Sequence, residues 1–108
     1  MTDEEYVRAR WEHVRTGAAA LHLSDYSAPL VITHAGEFPN WSAARAFTEN
    51  REREIAEVRE EISEIEDDIL SYSSHDNADS FAVIYRRILA RLQARLAELR
   101  RGMKEGSE

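Results

Sequence analysis

Two long segments without glycine or proline constrain the fold of this chain more than any other feature. Across residues 43–70, apolar residues alternate at spacings of three and four, and residues 80–101 repeat that alternation. This spacing is typical of the apolar seam of coiled-coil helices, so the pattern predicts two long helices. The seam residues are Ile55, Val58, Ile62, Ile65 and Ile69 in the first segment and Phe81, Tyr85, Ile88, Leu92 and Leu99 in the second.

The polar stretch 71–79 between the two segments is typical of a loop, which predicts an antiparallel helical hairpin. Folding at this loop pairs seam residues whose numbers have a constant sum: Ile69 with Phe81, Ile65 with Tyr85, Ile62 with Ile88, Val58 with Leu92 and Phe47 with Met103. Residues 49–68 are strongly acidic and residues 79–104 strongly basic, so ion pairs should favour this register. The expected pairs join Glu64 to Arg86, and Arg87 and Arg91 to Glu57, Glu60 and Glu61.

The first forty residues carry weaker signals. A short amphipathic helix is expected over residues 2–15, capped by Thr2 or Asp3 and ended by Gly17, and Ser42 is expected to cap the next helix. Two short strands are expected near 20–25 and 30–35, joined at 27–29, because the region contains both prolines and the β-branched run LVIT. The predicted class is mainly α (α+β): a single domain over 1–108, with helix and β-hairpin in 1–41, the coiled-coil-like helical hairpin in 42–104 and a disordered tail in 105–108.

The composition argues against several classes of protein. The chain has no cysteine, which excludes disulfides and thiolate metal sites and fits the cytoplasm, and no apolar run long enough to cross a bilayer. A formal net charge of −7 argues against general DNA binding. The last helix has more apolar surface than one partner helix covers, because Ile84, Leu89 and Leu96 lie beside its seam. We therefore expect a homodimer or higher oligomer.

Two arginines interrupt the seams. Arg51 falls opposite Leu99 and Arg95 falls opposite Ile55. With Arg45 and Trp41 at the same end of the hairpin, they could form a cationic, aromatic-edged pocket for a phosphate or carboxylate. The alternative is that both arginines pair with Glu54 or Glu98 and set the register.

A second candidate surface lies on the first helix, where Tyr6, Arg10 and Trp11 are residue types that dominate protein interfaces. The alternative for Trp11 is a place in the core. The acidic residues 57–68 could also mimic nucleic-acid phosphates, although a solvated helix face is the simpler interpretation.

The sequence contains few candidate catalytic residues. Strands could bring His22 and His34 together as metal ligands, and Glu57, Glu60, Glu61 and Glu64 have the spacing of helices that hold magnesium, but the facing helix is arginine-rich. The four glycines form no phosphate loop, and no serine has a recognisable nucleophile setting. We expect no catalytic residue, no metal and no cofactor, so the chain is predicted not to be an enzyme.

The segments YVRARW and FPNWSAARAFTENREREIAEVREEISEIE resemble a class of small bacteriophage-encoded proteins. That class has a YVR-x-x-W opening, a short strand region and W-x-x-A-x-x-F-T leading into a charged helix. The resemblance covers roughly the first two thirds of the chain and carries over no functional residue. It implies an accessory role in the host cytoplasm, such as inhibition of bacterial defence.

Together these observations predict a non-enzymatic binding protein that inhibits a host defence component, by binding a host protein or by sequestering a small nucleotide signal. Two alternatives stay open. One is a metal-dependent hydrolase that uses the helix carboxylates or His22 and His34, and the other is a structural coiled-coil assembly protein.

Overall fold

The computed structural model describes residues 1–17, 30–72 and 78–104. It contains helices α1 (Asp3–Arg10), α2 (Trp41–Tyr72) and α3 (Ala78–Leu99), and strands β1 (Arg15–Gly17), β2 (Leu30–Thr33) and β3 (Gly36–Phe38). The predicted mainly helical class with a small sheet is confirmed, but the described strands number three, not two. The chain divides into an N-terminal unit, Met1–Arg51 with Arg101–Glu108, and a helical unit, Glu52–Arg100.

Helix α1 begins at the predicted cap and ends earlier than predicted. Thr2 Oγ1 accepts a hydrogen bond from the Glu5 amide at 3.1 Å, and the Glu5 carboxylate accepts one from the Thr2 amide at 3.3 Å. This reciprocal capping box satisfies two amides that have no partner within the helix. The helix ends at Arg10 because Trp11 turns into extended conformation and forms a β-bridge with Met103.

The sheet has the order β1-β2-β3, and both strand pairs are antiparallel. β2 falls within the predicted strand 30–35, whereas the predicted strand 20–25 lies outside the described residues. β1 occupies residues that were predicted to end the first helix, and Gly17 closes this strand rather than the helix. Pairing of Arg15 with Ile32 and Thr16 with Val31 stabilises this strand.

The core of the N-terminal unit is small and mostly apolar. Its fully buried side chains are Val7 from α1, Trp11, Val31 from β2 and Ala44 from α2. Around them pack the partly buried residues Val14, Phe38, Trp41, Phe47 and Met103. Three separate parts of the sequence therefore hold this unit together, including the segment after α3.

Helix α2 starts two residues before the predicted start at Ala43. Asn40, rather than the predicted Ser42, caps it, because Asn40 Oδ1 accepts a hydrogen bond from the Ala43 amide at 2.8 Å. Trp41 is the first helical residue. Further along α2, Ile55 and Val58 are buried in the helical unit, as their seam positions predict.

The buried stripe of α3 agrees with the predicted seam at Tyr85, Leu92 and Leu99, but Leu89 and Leu96 take the places predicted for Ile88 and Arg95. Its most buried residues are Tyr85, Leu89, Leu92, Leu96 and Leu99. Ile88 and Arg95, which were predicted to lie in the seam, are exposed. Two stripes with the same spacing were available, and the observed one buries two leucines while it leaves the Arg95 guanidinium in water.

The predicted ion pairs of the hairpin are replaced by a different one. Arg95 Nη2 lies 3.6 Å from Glu54 Oε2, which joins α3 to α2 within the helical unit. The expected pair of Glu64 with Arg86, and those of Arg87 and Arg91 with the α2 carboxylates, are not among the ion pairs of residues 30–72 and 78–104. The predicted loop 71–79 is too long at both ends, because α2 continues to Tyr72 and α3 begins at Ala78; residues 73–77 lie outside the described residues.

Candidate functional site

An arginine–tyrosine stack, formed by Tyr6, Arg10 and Arg45, is the most organised polar surface of the N-terminal unit. The guanidinium carbon of Arg10 lies 3.5 Å from the centroid of the Tyr6 ring, and that of Arg45 lies 4.6 Å from it. Arg10 Nη1 also donates a hydrogen bond of 3.2 Å to the Tyr6 carbonyl. Both cations are therefore attracted to one aromatic ring, and all three side chains are half-buried.

Two carboxylates fix the position of Arg45. Its Nη1 lies 3.0 Å from Asp3 Oδ1, and its Nε lies 3.3 Å from Glu49 Oε1. The hydrogen bond to Asp3 is the main reason why the pKa of Arg45 is raised above its ordinary value, and the charge of Glu49 adds to the effect. Because two acids already neutralise this guanidinium, the stack is better suited to a protein surface than to a free anion.

A second arginine–aromatic contact joins Arg8 of α1 to Trp41. The Arg8 guanidinium lies 5.1 Å from the Trp41 ring centroid, and Arg8 Nε donates to Glu4 Oε2 at 2.9 Å. Arg8 Nη1 also donates to the Val14 carbonyl at 3.3 Å. Trp41, a predicted binding residue, is half-buried against the core of the N-terminal unit.

A buried hydrogen-bond chain holds α1 and α2 in register beneath these contacts. Trp11 Nε1 donates to Thr48 Oγ1 at 2.8 Å, and Thr48 Oγ1 donates to the Ala44 carbonyl at 2.6 Å. Trp11 and Thr48 are each only 1% exposed. The core interpretation of Trp11 is therefore confirmed, and this tryptophan is not part of an exposed contact surface.

Five of the six predicted binding residues fall into two groups, and the sixth, Trp41, contacts Arg8. Tyr6, Arg10 and Arg45 meet in the stack, although they were assigned to two different surfaces. Arg51 and Arg95, the centre of the predicted pocket, belong to different units: Arg51 lies over the Phe47 ring at 5.0 Å, and Arg95 pairs with Glu54 in the helical unit. For Arg95, the alternative of an ion pair with Glu54 is confirmed.

A histidine cleft lies on the N-terminal unit, beside the β2-β3 turn. It has a volume of about 300 Å³ and is lined by Glu12, His13, Arg15, Ile32, Thr33, His34 and Gly102. The sequence interpretation missed this cleft because β1 was expected to be helix. Only the pairing of β1 with β2 brings residues 13–15 beside residues 32–34.

The possible metal ligands are not brought together in the described part of the chain. Among residues 1–17, 30–72 and 78–104, no three His, Asp or Glu side chains are placed to hold a metal ion. His22 lies outside these ranges, so its predicted meeting with His34 lies outside the described residues. The histidine that shares a cleft with His34 is His13.

An apolar face remains exposed on α3. Val83, Ile84 and Ile88 are 50%, 55% and 36% exposed, and they lie on adjacent turns of one helix. Leu70 near the end of α2 is also exposed. The excess apolar surface predicted for the last helix is thus present, but Ile88 belongs to it, whereas Leu89 and Leu96 are half-buried.

Within the described ranges, neither α2 nor α3 has a stretch apolar enough to cross a membrane, and α1 is too short. The chain matches no protein-family model, no curated protein sequence and no solved structure.

Proposed function

We propose that this chain is a non-enzymatic binding protein that engages a protein partner through the arginine–tyrosine stack. The observation that carries the proposal is the placement of both the Arg10 and Arg45 guanidiniums against the Tyr6 ring. Tyrosine and arginine are enriched at the energetic centres of protein interfaces. Side chains already held in place lose less conformational freedom on binding, which raises affinity.

The sequence resemblance supports a biological setting for this activity. Tyr6 is a specified position of the YVR-x-x-W opening, whereas Arg10 and Arg45 fall at unspecified positions, so the resemblance supports the setting and not the stack itself. The proposed role is that of a bacteriophage accessory protein that acts in the host cytoplasm and occupies a surface of a host defence component.

Affinity capture from a bacterial lysate tests this proposal when the stack is varied. The immobilised chain should retain a specific host protein, and Tyr6→Ala or Arg10→Ala should release it. Arg86→Ala is the matched control, because it removes an exposed arginine of the helical unit. Isothermal titration with the purified partner should show a loss of about tenfold or more for the stack variants. Equal binding by Arg10→Ala and the wild type would contradict the role of the stack.

Sequestration of a nucleotide signal has less support. The predicted pocket requires Arg51 and Arg95, and each of them has another contact, Arg51 with Phe47 and Arg95 with Glu54. Thermal unfolding with a panel of nucleotides separates the two functions, because a ligand that binds the folded state raises the unfolding temperature. A nucleotide that stabilises the wild type but not Arg51→Ala would favour sequestration.

We further infer that α2 and α3 pack as an antiparallel coiled-coil hairpin and that a second copy covers the apolar face of α3. Burial of Ile55, Val58 and Leu99 and the Arg95 to Glu54 pair support the hairpin. The chain also leaves the N-terminal unit at Arg51 and returns to it at Arg101, which favours opposite directions for the two helices.

For the second copy, the support is the exposed face of Val83, Ile84 and Ile88 together with complementary charge. Basic residues Arg87 and Arg91 flank this face, and exposed carboxylates such as Glu60 on α2 of another copy could meet them.

Sedimentation equilibrium tests this self-association. The wild type should be a dimer or larger at micromolar concentration, and Ile84→Glu should shift it to monomer because it places a charge in the apolar face. Gln93→Glu makes the same charge change on another exposed side of α3 and should leave the assembly intact. A monomeric wild type would contradict self-association.

A further inference from the structure

The histidine cleft brings together polar side chains from three parts of the chain. Glu12 and His13 come from the segment between α1 and β1, Arg15 is the first residue of β1, His34 comes from the β2-β3 turn, and Gly102 follows α3. At about 300 Å³, the cleft is large enough for a small molecule, and Ile32 gives it one apolar wall.

Four of the five polar side chains that line the cleft are not used by the fold; the exception is Thr33, whose Oγ1 donates to the Gly36 carbonyl and accepts from the Ala35 amide. Within residues 1–17, 30–72 and 78–104, the side chains of Glu12, His13, Arg15 and His34 form no hydrogen bond or ion pair. Elsewhere on the same unit, arginines such as Arg45 pair with acids or aromatic rings. Three of the four cleft side chains are hydrogen-bond donors or can become donors, which is the lining that an oxyanion requires.

Two backbone positions beside the cleft, His13 and Gly102, have positive φ angles. His13 has a positive φ of 57°, which is uncommon for a residue other than glycine. Gly102 has a φ of 78°, and a Cβ atom at this position would overlap Cβ and Cγ of His34. The chain therefore places a glycine where the His34 ring needs the space.

Backbone hydrogen bonds fix the segment after α3 as a wall of the cleft. The Glu12 amide donates to the Gly102 carbonyl at 2.8 Å, and the Lys104 amide donates to the Arg10 carbonyl at 2.8 Å. Together with the bridge between Trp11 and Met103, these bonds hold Gly102 against His34. The backbone of the cleft is therefore preorganised, so a ligand has to order only the exposed side chains that contact it.

We propose that the histidine cleft binds a small oxyanion, a phosphate or carboxylate group, through His13, His34 and Arg15. Arg15 provides a permanent positive charge, and the two imidazoles provide N–H donors, His13 from the turn before β1 and His34 from the β2-β3 turn. The carboxylate of Glu12 repels the bound anion, which favours anions of low charge. This site is separate from the arginine–tyrosine stack and does not depend on the protein-binding function.

Nuclear magnetic resonance titration of the full chain tests the proposal with three probes: inorganic phosphate, phenyl phosphate and acetate, each at constant ionic strength. Saturable shifts should appear at the backbone amides of residues 12–15, 32–34 and 102. Stronger binding of either phosphate than of acetate identifies a phosphate site, and the reverse identifies a carboxylate site. Absence of saturable shifts with all three probes would overturn the proposal.

Two variants that should change the affinity for the anion in opposite directions distinguish this site from general attraction to a basic surface. Arg15→Ala should weaken binding by about tenfold or more, and Glu12→Gln should strengthen it by about threefold. Arg86→Ala removes the same charge from the helical unit and should leave binding unchanged. Equal weakening by Arg15→Ala and Arg86→Ala would overturn the proposal, as would an unchanged affinity of Glu12→Gln.

Discussion

Replacing Thr48 with valine should destabilise the N-terminal unit, although the two side chains have nearly the same shape. Thr48 Oγ1 is the acceptor for the Trp11 indole N–H, and both side chains are only 1% exposed, so water cannot replace the lost partner. An unsatisfied buried donor costs about 1 to 3 kcal/mol, and burial of the new methyl group returns about 0.8 kcal/mol. The expected net loss is therefore about 0.2 to 2 kcal/mol of unfolding free energy.

A double-mutant cycle separates the hydrogen bond from other effects of the substitution. In a Trp11→Phe background no indole N–H remains, so Thr48→Val should cost about 1 to 3 kcal/mol less there than in the wild type. Thr16→Val is the control, since Thr16 is an exposed threonine of the same unit.

Urea unfolding, followed by circular dichroism and by the fluorescence of Trp41, provides the measurement. Trp41 lies in the N-terminal unit and is present in all variants. The reasoning is refuted if Thr48→Val is as stable as Thr16→Val, or if its effect is the same with phenylalanine at position 11.

Three further substitutions test other parts of the fold. Gly102→Ala should lose about 1 to 3 kcal/mol in urea unfolding, because it combines a positive φ with overlap against His34, and a wild-type stability would contradict that overlap. Ile55→Ala should lose about 2 to 5 kcal/mol, since Ile55 is 8% exposed in the helical unit, and thermal unfolding checks it. Asn40→Ala should lose about 1 kcal/mol by removal of the α2 cap, whereas Ser42→Ala should have a smaller effect.

The helices could be predicted because their signals are local. The absence of glycine and proline between positions 43 and 70 is a property of consecutive residues, and so is the capping pattern at Thr2. The spacing of apolar residues does not determine which face of α3 is buried, because one apolar stripe contains Ile88 and another of the same period contains Leu89. The choice depends on which neighbours exclude water, and no single helix carries that information.

Strand β1 and the sites that depend on tertiary contacts could not be predicted in this way. Arg15, Thr16 and Gly17 have no β-branched run, and their extended conformation comes from pairing with β2. The contact of Tyr6 with Arg45 joins residues far apart in the sequence, so nothing near either residue indicates the other. Each residue type was recognisable as a binding candidate, but their meeting in one surface was not.

The placement of buried and exposed groups in the N-terminal unit should allow stability and binding to be varied separately. Trp11 and Thr48 join α1 to α2 from the inside, where their hydrogen bond is protected from water. Tyr6 and Arg45 join the same two helices at the half-buried surface, where a partner can reach them. A change at Thr48 should therefore lower stability and leave the affinity of the folded protein for its partner unchanged. A change at Tyr6 should reduce that affinity more than it reduces stability, because the internal hydrogen bond still holds the helices together.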